Sequence, residues 1–263
     1  MTVSHPQPTR LGVVEFLNTR PLIDGLAERP DIELYPAVPS RLAAMLTGGR
    51  VDAALVPVID LARAGGAWER ISDAGIASEG ETLTVRVFSH VPPESMTTLH
   101  VDGDSHTSVV LAQLLWRHFY NRPIAVRDLA DGMPQTCESV LLIGDKVVSV
   151  PQADWPYCVD LGQAWTQWTG LPFVFAVWAA PVGRVDNASL GQLLSEARDR
   201  GLQRSVELAA EFAPVHGWTR ELAVHYLTQC MRYRITPAAE EAIARFTALA
   251  VAEGFVSATG KVA

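Results

Sequence analysis

Apolar runs and amphipathic stripes alternate along the first sixty residues. Leu11 to Glu15 opens with an apolar run of the kind a buried strand needs. Asn18, Thr19 and Arg20 then lead into Pro21, a favourable first helical position, and a stripe at Leu22, Ile23 and Leu26 predicts a helix. Ile32 to Tyr35 reads as a second strand. Pro39-Ser40 precedes a helix carrying Leu42, Met45 and Leu46, stopped by Gly48-Gly49. Asp52 to Val58 is a third buried strand, with Pro57 marking its carboxyl end. This alternation predicts a parallel α/β sheet.

The pattern then restarts. Thr84 to Ser89 alternates like a strand and is broken by Val91-Pro92-Pro93. Leu99 to Asp102 is a short strand, followed by Gly103 and a helix from about Thr107 to Tyr120. Ser105 is its expected N-cap, and Val110, Leu111, Leu114, Leu115 and Phe119 form its buried stripe. Val140 to Ile143 is another buried strand, ended by Gly144-Asp145. Asp160 caps a short helix ended by Gly170, and Phe173 to Ala179 is the most strongly β segment. Beyond Asn187 the signal is helical: Leu190 to Arg200, Leu202 to Phe212, Arg220 to Met231 after Thr219, and a last helix opened by Thr236-Pro237 and ended by Gly254. Two α/β units and a helical tail predict two lobes. Residues 1–90 with 183–263 would form one and 91–182 the other, with the carboxyl ends of the strands facing a cleft.

Composition narrows the class. The 263 residues suffice for one large domain or two small ones without a disulfide or metal staple. Against 29 acidic residues stand 21 Lys and Arg, a net charge of −8, so no nucleic-acid partner or acidic membrane surface is expected. With 48% apolar and 19% charged residues, the chain is not a disordered one. Cys137, Cys158 and Cys230 are widely spaced without a CxxC pair, which fits a reducing compartment. Met1 to Arg10 has no apolar h-region, so no signal peptide is expected. The longest nearly apolar run, Leu171 to Val182, is too short for the ~20 residues of a membrane helix. A cytoplasmic protein, monomer or homodimer, is the expectation.

The motifs of nucleotide cofactors, the hydrolase elbow and the zincins are absent. The seven histidines contain no i, i+4 pair, so neither a cofactor nor a metal is expected. Ser105-His106-Thr107-Ser108, a hydroxyl cluster at a helix start, has the parts of an anion pocket, and plain capping is the alternative. Asn18-Thr19-Arg20-Pro21 repeats that arrangement in the first lobe, where Arg20 can pair with a carboxylate or the segment can be a structural turn. Ser40 stands at the next helix start. Gly144-Asp145 either presents a carboxylate to the cleft or forms an Asx turn. Arg86 on its strand faces the cleft or a salt-bridge partner, and Glu79-Gly80-Glu81 reads as a solvated loop. Trp165, Trp168, Phe173, Phe175 and Trp178 supply core and, for one or two, a wall for a ring.

Four segments in register resemble a known family. They are Leu17-Asn18-Thr19-Arg20-Pro21-Leu22, Asp102-Gly103-Asp104-Ser105-His106-Thr107-Ser108, Leu141-Leu142-Ile143-Gly144-Asp145, and Asp160-Leu161-Gly162-Gln163-Ala164-Trp165 running into Thr169-Gly170-Leu171-Pro172-Phe173-Val174-Phe175-Ala176. Together, over roughly residues 10–255, the chain resembles the chorismate dehydratases of the futalosine menaquinone pathway. That resemblance implies an α/β, two-lobe periplasmic-binding-protein-like (type II) fold with a ligand cleft between the lobes. It also implies cofactor-free dehydration of the dicarboxylate chorismate to 3-[(1-carboxyvinyl)oxy]benzoate.

The combined expectation gives catalytic roles to Asn18 and Asp145, with the substrate's own enolpyruvyl carboxylate an equal candidate for the base. Substrate-binding roles go to Thr19, Arg20, Ser40, Pro57, Val58, Arg86, Ser105, Thr107, Ser108, Ile143 and Gly144. Glu15-Phe16 and Val58 depart from the family's usual residues. Rival readings are the sister family that releases a dihydroxynaphthoate from cyclic dehypoxanthine futalosine, a non-catalytic cytosolic carboxylate-binding protein, and a LysR-type effector domain. Against these stand Asp145, where the sister family carries a His, the lack of a secretion signal, and the lack of a DNA-binding segment before Leu11.

Overall fold

A computed structural model of the chain describes residues 7–129 and 137–257. The expectation that Met1 to Arg10 is no signal peptide therefore falls mostly outside the described residues.

The first sheet begins as its apolar runs dictate, with β1 (Thr9–Val14), β2 (Ile32–Ala37) and β3 (Ala53–Pro57) in parallel. α1 (Pro39–Thr47) packs on β1 and β3 through Leu42, Met45 and Leu46. The remaining strand pairings are antiparallel, so the sheet is mixed and not the parallel one expected. β4 (Trp68–Ser78), β10 (Phe173–Pro181) and β11 (Met231–Arg234) complete the order β11-β4-β10-β3-β1-β2. The reason is topological: the chain leaves the sheet after β4 and re-enters through β10, which fills the gap between β3 and β4 running the opposite way.

The second sheet holds β5 (Val85–Ser89), β6 (Thr98–Val101), β7 (Ala125–Asp128), β8 (Ser139–Ile143) and β9 (Tyr157–Asp160), in the order β7-β6-β8-β5-β9. α3 (His106–His118) and α4 (Leu161–Thr169) cover it. The α3 stripe of Val110, Leu111, Leu114 and Leu115 is buried together with Trp116. β5 thus belongs to the second sheet and β10 to the first, each across from the lobe its sequence position suggested.

Helices α5 (Asn187–Gln203) and α6 (Ser205–Phe212) lie on the first sheet's side, α5 against β4. α2 (Val58–Arg63) and the last helix, α8 (Pro237–Ala252), instead share the second core, where Val58 and Ile59 join Phe246 and Ala250.

Two local expectations are corrected. Leu17–Leu22 is a 3-10 turn with Pro21 inside it, not an α-helix; Leu17, Leu22 and Leu26 are fully buried by a chain that turns rather than winds. The segment Arg220 to Met231 is α7 (Arg220–His225), then a π turn at Tyr226–Cys230, with Met231 already the start of β11.

The chain crosses between sheets at residues 79–84 and again at 161–172, and Asp160 ties the crossings together. Its carboxylate accepts from the backbone N–H groups of Thr82 and Leu83, at 3.0 and 2.9 Å, on the outgoing crossing. On the returning one it accepts from those of Gly162 and Gln163, at 3.1 and 3.2 Å. The expected helix cap is therefore also the joint between the two lobes.

Candidate active site

A cleft with about 500 Å³ of empty space, part of it open to solvent, lies between the sheets. It opens at the carboxyl ends of β1, β3 and β8, where Val14, Pro57, Ile143 and Gly144 face it. Phe16, Ile76, Phe175 and Met231 give it apolar walls. Polar groups come from Asn18, Thr82, Thr84, Ser105 and Ser108. Among the described residues, no Lys, Arg, Asp, Glu or His side chain lines it.

Asn18 is held in place from two sides. The Thr19 hydroxyl donates to its Oδ1 at 3.5 Å, and the buried Tyr226 phenol stands beside its side chain. Tyr226 also pairs with the Thr84 hydroxyl at 2.7 Å, and its burial pushes the phenol pKa up, so it stays protonated. On the facing lobe, Ser105 caps α3 by accepting from the Ser108 N–H at 3.1 Å and donates to the Ser108 hydroxyl at 2.9 Å. The helix start thus brings the positive end of its dipole to that side of the cavity.

Gly144 adopts φ +71°, and a Cβ there would come within 2.6 Å of the Phe16 ring. The close approach of Phe16 from the first lobe to the β8 turn of the second thus needs a glycine. Ser40 closes the lobes from another side: its N–H donates to Asp104 O at 3.0 Å, just before α3.

Of the residues singled out from sequence, Asn18, Pro57, Ser105, Ser108, Ile143 and Gly144 meet at this cavity. The others lie elsewhere. Thr107 is buried, its hydroxyl accepting from Ile59 N and donating to Phe175 O, both at 3.4 Å. Val58 is core at the start of α2, and Thr19 sits behind Asn18. Arg86 pairs with Glu81 at 2.6 Å and with Asp160 at 3.5 Å, the salt-bridge alternative. Arg20 lies over the Phe212 ring, 4.2 Å from its centroid, and borders a separate groove with Glu28 and Arg204. Burial lowers its pKa against the pull of Asp145 and Glu211.

Asp145 stands just behind the lining. Its carboxylate accepts from Leu17 N at 3.2 Å, His216 Nδ1 at 2.7 Å and Trp218 Nε1 at 3.0 Å. Burial pushes its pKa up while His216, the Leu17 N–H and Trp218 pull it down, and burial wins. His216, Trp218 and Tyr226 escaped sequence reading. The local signal for the first two is an imidazole and an indole flanking Gly217 between two helices. Tyr226 matches an ordinary buried helical position.

Comparison with known proteins adds the family context. The family model described as menaquinone biosynthesis matches residues 9–252. A Thermus thermophilus protein named chorismate dehydratase is 29% identical over 84% of this chain and 88% of its own. A Campylobacter jejuni protein of the same name is 26% identical over 89% of this chain and 94% of its own. The periplasmic aliphatic sulphonate binding protein of Escherichia coli shares the fold, with TM-score 0.65, 12% identity, and coverage of 97% of this chain and 95% of that one. The fold is periplasmic-binding-protein-like, two lobes around a cleft. No helix among the described residues is long and apolar enough to cross a membrane.

Proposed function

The chain belongs to the menaquinone-biosynthesis family, and on that premise we propose that it is a cytoplasmic chorismate dehydratase of the futalosine route. It would convert chorismate to 3-[(1-carboxyvinyl)oxy]benzoate and water without a cofactor. The observation that carries the reading is the cavity that joins Asn18 on one lobe to the Ser105–Ser108 helix start on the other. Such a site holds a small, flat, anionic ring by dipoles and hydroxyls in a chain whose net charge is negative.

In this reading the α3 start and the Ser105 and Ser108 hydroxyls take a substrate carboxylate, while Phe16 and Phe175 flank the dienyl ring. The elimination breaks the ring C3–H bond, whose electrons form the new C3–C4 double bond, and expels the C4 hydroxyl. The leaving oxygen receives a proton and departs as water, and the ring becomes aromatic. The driving force is intrinsic to the substrate, so the protein's task is orientation and water exclusion.

The cavity lining offers no ionisable base, and the oxygens of Asp145 are engaged by three donors. We therefore assign proton removal to the substrate's own enolpyruvyl carboxylate, and to Asn18 a hydrogen bond at the reacting region. Asp145 becomes a positioning residue.

Incubation of the purified, EDTA-treated protein with chorismate, followed by mass spectrometry, tests the proposal. Catalytic appearance of the dehydrated product is expected. Chorismate recovered unchanged from folded protein would overturn it.

A further inference from the structure

Behind the cavity, on the outer side of the segments that build it, Glu81, His225 and Cys230 bring one carboxylate oxygen, one imidazole nitrogen and one thiol sulfur within 4.8 Å of one another. They come from two segments. Glu81 is on the outgoing crossing between the sheets, one residue before Thr82. His225 ends α7, and Cys230 ends the π turn before β11. We propose that these three residues form a binding site for a thiophilic divalent cation of the zinc type.

The donor set supports that class of ion. Thiolate, imidazole and carboxylate together are the borderline-soft ligands of Zn²⁺, and three protein ligands leave a fourth position for water. Calcium or magnesium would want oxygen alone. The π turn is the structural device behind it. In an α-helix residues i and i+5 do not share a face, whereas the i→i+5 closure at Tyr226–Cys230 brings His225 and Cys230 together. Hence a search for histidines at i, i+4 spacing, from which no metal was expected, passes over this pair.

The geometry needs a modest contraction. Bonds of ~2.0–2.3 Å place tetrahedral ligand atoms about 3.5 Å apart, so the donors must close by about 1 Å. Glu81 and His225 are exposed, so the movement falls to their side chains, while Cys230 is buried. Glu81 uses Oε1 for Arg86, which leaves Oε2 to face the ion. The nearby Arg232 cation is met by Glu79 at 3.9 Å.

An ion here would tie the crossing segment to the π turn. Those same segments supply Thr82, Thr84 and Met231 to the cavity, and Tyr226 to Asn18. The inference is independent of the dehydratase reading, because the site lies outside the cavity and its test reads binding alone.

Co²⁺ titration of the metal-free full-length protein, with Zn²⁺ as competitor, is the experiment. One equivalent of Co²⁺ should bind with a thiolate-to-cobalt charge-transfer absorption, and Zn²⁺ should displace it. Cys230→Ser should abolish the band and Cys158→Ser should keep it. His225→Gln and Glu81→Gln, both at exposed positions, should each weaken binding at least tenfold. The proposal is overturned if the wild-type protein shows no thiolate band. It is equally overturned if the band survives Cys230→Ser, or, should that variant not fold, if affinity is unchanged in both His225→Gln and Glu81→Gln.

Discussion

Asp145 and His216, 71 residues apart in the chain, meet at 2.7 Å and latch three segments around one half-buried carboxylate. Arg20 approaches His216 Nε2 at 3.2 Å and has only donors to offer, so Nε2 accepts and Nδ1 carries the proton that is given to Asp145. The third segment is the 17–22 turn, joined through the Leu17 N–H. The latch therefore connects the turn after β8 to the one that carries Asn18.

Removing His216 tests that connection. His216→Ala leaves Asp145 under-partnered and Arg20 without its acceptor. Such a loss should cost about 2–3 kcal/mol in urea unfolding and lower kcat/KM for chorismate about 10- to 100-fold. His216→Asn places an amide N–H close to the lost Nδ1–H and should recover a large part of both. A fully active His216→Ala protein would show that the latch does not position the site.

Asn18 and Tyr226 form the polar pair nearest the proposed reacting region. Asn18→Ala should lower kcat by roughly 10²-fold or more with little change in unfolding free energy, as for loss of one hydrogen-bond donor to a developing charge. Tyr226→Phe leaves the aromatic packing intact but removes the hydroxyl that pairs with Thr84 beside Asn18. Its kcat should fall about 5- to 10-fold. Steady-state rates of both variants, with unfolding curves as control, check the ordering. A Tyr226→Phe defect larger than that of Asn18→Ala would reverse the assigned roles.

Gly144→Ala sets two costs against one reference. The residue sits at φ +71°, and its new Cβ would meet the Phe16 ring at 2.6 Å. Gly170 after α4 has a similar φ of +73° but open space around it. Gly170→Ala should therefore lose about 1 kcal/mol from backbone strain alone, and Gly144→Ala about 2–4 kcal/mol. Equal losses in urea unfolding would mean that Phe16 gives way without cost. Activity should fall in Gly144→Ala and hold in Gly170→Ala.

The sequence patterns that proved legible are those a strand or helix writes locally. Leu11, Val13 and Val14 announce β1, and the α3 stripe with its Ser105 cap was readable because capping and amphipathic spacing are short-range. β4 was missed because its first half, Trp68 to Asp73, alternates irregularly and is only partly buried; the second half is buried on both faces. The edge strands β7 and β9 expose most of their residues and carry no apolar signature. In the site, Asn18, Ser105, Ser108 and Gly144 were nameable because strand ends and helix starts predict where a cleft falls. His216, Trp218 and Tyr226 reach the same place through tertiary contacts, which no local spacing encodes.

Asp52 offers a test of stability at acid pH. Its carboxylate accepts from the Arg10 backbone N–H at 2.8 Å, from Arg10 Nε and Nη2 at 3.1 and 3.0 Å, and from Arg184 Nη1 at 2.8 Å. Partial burial alone would raise its pKa. The two guanidiniums and the backbone N–H outweigh that and hold it at about 2, against 3.8 for a free Asp. A depressed folded-state pKa gives stability that is complete above the unfolded value and is lost as the pH falls towards the folded one. The shift corresponds to at most about 2.5 kcal/mol, and solvent screening at the partly exposed arginines brings the expected figure nearer 1 kcal/mol. Asp52→Asn should thus be destabilised by about 1 kcal/mol at pH 7 in urea unfolding. The gap should persist to about pH 5, fall to roughly half by pH 3, and close as the pH nears 2. A gap of the same size at pH 7 and pH 3 would show that the ionised carboxylate is not its source.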